Sequence, residues 1–154
     1  MPPTPTERLK ALGLELPPPP KPAGAYSPVV TWNHLAWVSG QIVTDGGKVV
    51  SPGRVDADVP LEVAKSLARR TALQALSALA STLGSIDRIE RFLRVAVYVA
   101  TSPGFDRPHE VANGATELLI ELFGEEGRPA RIAVGMASLP LNAAVEVEFL
   151  LSFH

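Results

Sequence analysis

From Val145 to Phe153 every odd-numbered residue is apolar, while Glu146 and Glu148 lead the even positions. A period of two marks a strand with one buried face. Arg131 to Met136 alternates likewise, with Ile132, Val134 and Met136 set against Arg131, Ala133 and Gly135. The two segments read as arms of a hairpin. If both send their large apolar residues into one core, Arg131 shares the opposite face with Glu146 and Glu148. The small Ala133 and Gly135 then leave room beside the guanidinium. Such a face suits a small anionic ligand, or equally a cross-strand ion pair.

The same reading extends upstream. Val29 to Trp32 and Leu35 to Ser39 are predicted strands across a turn at Asn33–His34, and Asp45–Gly46–Gly47 turns into a third at Lys48–Val50. Residues 51–58 read as loop, and Asp58 is placed to cap a helix with Pro60 in its first turn. Leu61, Ala64, Ala68, Ala72, Ala75, Leu76, Leu79 and Leu83 recur at helical spacing until Gly84 stops the helix. Ile89 to Thr101 is a long strand with Leu93, Val95, Val97 and Val99 on one face. A second helix, about 106–123, buries Val111, Ala115, Leu118, Leu119 and Leu122. The order β-β-β-α-β-α-β-β predicts an α+β domain with two helices on one face of a single sheet. The other face is too apolar to stay wet, so self-association is expected.

Residues 1–22 stand apart. Thr4 or Thr6 caps a short helix through Leu12, Gly13 ends it, and Pro17 to Pro20 impose an extended polyproline path. This segment reads as an appendage packed on a domain that occupies residues 23–154.

Composition narrows the chemistry. The 154 residues fit one domain, 46% of them hydrophobic. There is no cysteine, which excludes disulfides, thiol catalysis and cysteine-ligated zinc. Net charge is −2, and no basic stripe is present to hold a phosphate backbone. Met1–Pro2–Pro3–Thr4–Pro5 lacks the apolar core of a secretory signal, and no apolar run approaches the roughly 18 residues that cross a bilayer, so a cytoplasmic protein is expected. His34, His109 and His154 show no metal-ligand spacing, Ser39 has no histidine partner that sequence can place, and Gly46–Gly47 opens no helix as a phosphate loop would. Arg69–Arg70 reads as a solvated helix face, and Trp32 and Trp37 as core or interface residues.

Gly24–Ala25–Tyr26–Ser27–Pro28 followed by Val38–Ser39–Gly40–Gln41 resembles the opening signature of the RidA (YjgF) superfamily, also known as the endoribonuclease L-PSP family. Gly127–Arg128–Pro129–Ala130–Arg131, Ser138–Leu139–Pro140 and Val145–Glu146–Val147–Glu148 resemble its closing signature. The resemblance runs from about Gly24 to Phe153. It implies a chorismate-mutase-like mixed β-sheet with two helices on one face, assembled as a barrel-like homotrimer with a pocket at each subunit interface. It implies hydrolytic deamination of reactive 2-imino or 2-enamino acids to 2-keto acids and ammonia, without metal or organic cofactor. Arg131 matches the arginine that clamps the substrate carboxylate, a task suited to a planar guanidinium fork. Glu146 matches the glutamate that orients or deprotonates water, which enclosure would favour by raising its pKa. Tyr26, Ser39, Gly40 and Asn113 match pocket residues. Ile132–Ala133 stands where the best-known branch has Ser-Cys, so at Ala133 only backbone groups remain to act. Glu148 is read as structural. Loops set substrate choice, so two other readings stay open. One is a non-catalytic module that retains a small carboxylate metabolite. The other, RNA cleavage or translation inhibition, is opposed by the acidic pI of about 5.9.

Overall fold

The computed structural model describes all residues, Met1–His154. Seven strands and three α-helices follow in the order α1 (Pro5–Ala11), β1 (Val29–Trp32), β2 (Leu35–Gln41), β3 (Thr44–Asp45), β4 (Lys48–Val49), α2 (Leu61–Leu83), β5 (Ile89–Ala100), α3 (Pro108–Phe123), β6 (Ala130–Met136) and β7 (Val145–Phe153). Five strands form a mixed sheet in the order β1-β2-β7-β5-β6, and β3 and β4 make a separate two-stranded hairpin. Only β5 and β6 run parallel, joined by α3 as a parallel crossover requires.

The two long helices cover one face, α2 lying over β2 and β7 and α3 over β5 and β6. Alanines allow the close approach. A Cβ at Gly114 of α3 would stand 2.9 Å from the carbonyl carbon of Lys65 in α2, so only glycine fits that crossing. Gly84 ends α2 at φ 92°, in the left-handed region that favours glycine. All five residues expected on the stripe of α3 are fully buried. Along β7, Val145, Val147, Phe149 and Leu151 enter the same core, as their spacing predicts.

The structure corrects the sequence reading in four places. First, β6 and β7 are not a hairpin, because β5 lies between them and pairs with both. Second, β6 presents the opposite face from the one expected. Arg131 stands in register with the core residue Val95 and faces α3, whereas Ile132 and Met136 are 43% and 37% exposed on the uncovered face. Alternation gives a period but no sign, and β6 is an edge strand on which Ala133 packs against the core while Gly135 stays exposed beside Thr101. Third, the β5–β7 register slips between Phe92 and Arg94, so Phe92 enters the core and Leu93 turns outward. Fourth, Asp58 does not cap α2. Its Oδ2 accepts the Arg54 N–H at 3.0 Å inside the preceding loop, and Pro60 holds the cap position.

The N-terminal segment packs onto the domain closely. Thr4 caps α1 in a reciprocal box with Glu7. The Thr6 N–H donates to Asp87 Oδ1 at 2.8 Å and the Arg8 guanidinium to the Leu122 carbonyl at 3.3 Å. Leu9 is buried in the one large core cluster, and Leu14 and Leu16 pack against it. No helix is long and apolar enough to cross a membrane.

Candidate functional site

A cleft of about 1010 Å3 lies where β2, β7, the β3–β4 hairpin and the polyproline segment meet. It brings together four of the predicted site residues: Tyr26, Ser39, Gly40 and Glu146. Their placement follows from a break in the sheet. The β2–β7 ladder shifts between Val38 and Gln41, so Ser39 and Gly40 leave regular pairing beside Glu146. The Ser39 hydroxyl donates to the Ser27 carbonyl at 2.6 Å, and the Ser39 N–H donates to the Pro28 carbonyl at 2.9 Å, tying the two opening motifs together. Tyr26 is half exposed, with its hydroxyl accepting the Ala23 N–H.

Glu146 sits hard against Gly40. A Cβ there would come within 2.9 Å of the glutamate Cδ, so glycine is what admits the carboxylate. The side chain is half-buried, and no hydrogen bond from the chain satisfies it. Burial holds its carboxyl above the ordinary value, and the Glu148 carboxylate two residues along pushes it further. Glu148 itself is engaged, accepting from Arg94 at 2.9 Å and from the Tyr98 hydroxyl at 2.9 Å. Burial, followed by the Glu148 contact, raises the Tyr98 hydroxyl as well. The uncovered face therefore carries one fixed carboxylate and one free to exchange a proton.

The other three predicted residues lie elsewhere in the chain. Arg131 and Ala133 are on the helix-facing side of β6, and Asn113 is on α3 above them. Arg131 Nη1 donates to Asn113 Oδ1 at 2.7 Å and to Thr116 Oγ1 at 3.1 Å. Both acceptors are neutral, and no carboxylate stands within ion-pair distance. The alternative, a pairing of Arg131 with Glu146 or Glu148, does not form, because the groups occupy opposite sides of the sheet with β5 between them. The guanidinium is exposed, positioned and uncompensated. No three His, Cys, Asp or Glu side chains converge as a metal-holding group.

Sequence reasoning missed Gln41 and Gln74. Gln74 Nε2 donates to Gln41 Oε1 at 3.1 Å and to the Ile42 carbonyl at 2.8 Å, while Gln41 Nε2 donates to the Ser39 carbonyl at 3.0 Å. This amide chain braces the cleft from α2. Its signal was visible as a glutamine standing among the buried Ala72, Leu73, Ala75 and Leu76.

Residues 6–152 match the family described as YjgF/chorismate mutase-like, putative endoribonuclease. Protein TCP17 of Trypanosoma cruzi is 39% identical over 147 residues, which span 95% of this chain and 92% of that protein. The crystal structure of Atu1372 from Agrobacterium tumefaciens, a protein of unknown function, aligns with a TM-score of 0.86 at 38% identity over 95% of this chain and 89% of that one. A Shewanella oneidensis crystal structure, described as a putative endoribonuclease, reaches a TM-score of 0.92 at 29% identity, covering 97% and 99% of the two chains.

Proposed function

The chain belongs to the YjgF/chorismate mutase-like family, and from that premise we propose that it hydrolyses small 2-imino and 2-enamino acids to 2-keto acids and ammonia. The observation that carries this reading is Glu146, a half-buried carboxyl with raised proton affinity, open to a cleft beside Ser39, Gly40 and Tyr26. As carboxylate it takes a proton from water while the water oxygen bonds to C2 of the imine and the C=N electron pair moves to nitrogen. Glu146 returns that proton to the nitrogen and then relays the C2 hydroxyl proton to it as well, so the C2–N bond breaks, ammonia leaves, the C2 oxygen closes to a carbonyl and Glu146 is again a carboxylate. A 2-enamino acid enters after tautomerising to the imine.

Arg131 grips the substrate carboxylate through the guanidinium nitrogens that Asn113 and Thr116 leave free. Within one protomer it cannot reach the Glu146 cleft, so the reading requires a neighbour to supply it. Exposed apolar residues support a shared site. Val30, Trp32 and Trp37 crowd one end of the uncovered face, and Ile132 and Met136 the other. Two different patches joining head to tail close into a ring, consistent with a barrel-like homotrimer.

The test generates imino acids in situ and follows ammonia release and semicarbazone trapping. Wild type should outpace spontaneous hydrolysis. Glu146→Gln should lose about 10²–10⁴-fold of that acceleration. Arg131→Ala should lose about 10–100-fold in kcat/KM, as for a hydrogen bond to a charged group. Background rates in wild type across several imino acids would overturn the proposal. Keto-acid binding without turnover, read as a concentration-dependent rise in Tm, would leave a non-catalytic carboxylate-binding module.

A further inference from the structure

The cleft around Glu146 is far larger than a three- or four-carbon acid needs. Pockets of about 300–1000 Å3 enclose ligands of drug size, and this one lies at the top of that range. Its extra wall comes from the N-terminal segment. Pro17 to Pro20 and Lys21 line it, joined by Asp45 and Gly46 of the β3–β4 turn. The wall is built to stay in place. The Ser77 hydroxyl of α2 donates to the Pro17 carbonyl, Leu14 and Leu16 anchor the preceding residues on the core, and four consecutive prolines lose little freedom on ordering.

Lys21 is the only cation among the residues that line the cleft, and no carboxylate of the chain lies within ion-pair distance of it. It makes no side-chain hydrogen bond. On the proposed reading, Arg131 of a neighbouring copy holds the carboxylate next to the reacting carbon, which leaves Lys21 without a partner in a monocarboxylate. We propose that Lys21, presented by the polyproline wall, is a specificity-determining residue that holds a second, terminal carboxylate, so that dicarboxylic imino and keto acids are preferred. The inference rests on the cleft being the substrate site. A lysine suits this task, since a flexible point charge reaches acids of different chain length where a rigid fork would fix one.

Kinetics with 2-iminoglutarate and 2-iminobutyrate, each generated in situ from its amino acid by an amino-acid oxidase, test the assignment. Lys21→Ala should raise KM for 2-iminoglutarate about tenfold or more, leave its kcat unchanged, and leave both constants for 2-iminobutyrate unchanged. Lys21→Arg should restore the 2-iminoglutarate KM. Equal effects on both substrates, or none on either, would overturn the role of Lys21. Calorimetric binding of 2-ketoglutarate and 2-ketobutyrate separates this failure from failure of the deaminase reading. If nothing is turned over, a preference for 2-ketoglutarate that Lys21→Ala abolishes still supports the subsite. Equal wild-type affinities for the two keto acids would sink it.

Discussion

Beneath α2 and α3, the residues Val95, Val97, Val99, Val147, Phe149 and Leu151 are each no more than 2% exposed, while the reverse side of the same strands carries Arg94, Tyr98, Glu146 and Glu148. On the covered side every large residue meets its own chain. Phe149 stacks edge-on against Phe92 with centroids 5.3 Å apart, and Phe92 against Phe123 at 5.1 Å. The uncovered side is different. Glu148 is satisfied by Arg94 and Tyr98, but Glu146 is left without a hydrogen bond, and Trp32 and Trp37 are 70% and 43% exposed. One side explains how the chain folds. The other holds groups that folding does not require, Glu146 above all.

The largest expected effect tests that division directly. Phe149→Ala should cost about 3–5 kcal/mol of unfolding free energy by urea titration, through lost transfer energy and the cavity left behind. Trp32→Ala, measured in dilute protein, should cost under about 1 kcal/mol, since that residue is 70% exposed and gives up little burial. Comparable losses would show that the two sides share one energetic role.

Gly40→Ala sharpens the contrast in the opposite sense. The added methyl would force the Glu146 carboxylate aside, and a displacement of that order costs about 10²-fold in rate where positioning carries the chemistry. Its urea midpoint should stay near wild type. A rate that survives the substitution would remove Glu146 from the reaction.

The smallest effect is a shift in pH. Glu146 must lose its proton to act on water, so kcat/KM should rise with pH through its elevated pKa. Glu148→Gln removes the lesser of the two causes of that elevation, so the acid limb of the profile should move to lower pH while burial keeps it above an ordinary carboxyl. Stability carries the opposite sign. The folded chain holds this proton more tightly than the unfolded chain does, so the contribution is full below the unfolded value and is lost as pH rises through the folded one. Glu146→Gln should flatten that part of the stability profile.

Much of this was legible from residue order. Long periodic segments such as Leu61–Leu83 and Val145–Phe153 each admit one satisfactory burial, and Ser39, Gly40 and Glu146 line one cleft. The misreadings share a cause. In β6, apolar residues alternate with Arg131, Ala133 and Gly135, and both registers bury something. What decides between them is α3, which offers Asn113 and Thr116 to the guanidinium, and that contact spans 15–18 residues of sequence. Adjacency of β6 and β7 was inferred from their closeness in the chain. The parallel pairing of β6 with β5 instead answers to the crossover through α3. Gln74 and Lys21 went unnoticed because neither lies in a motif, and the cleft that gives them meaning exists only after the polyproline wall has docked.

That wall has a consequence for the order in which the molecule is made. Thr6 waits for Asp87, Arg8 waits for Leu122, and Pro17 waits for Ser77 before their hydrogen bonds can form. Those partners stand 81, 114 and 60 residues further along the chain, so these residues have nowhere to settle until α2 and α3 have followed. The wall is thus fastened late, and the cleft takes shape only after the helices it docks on.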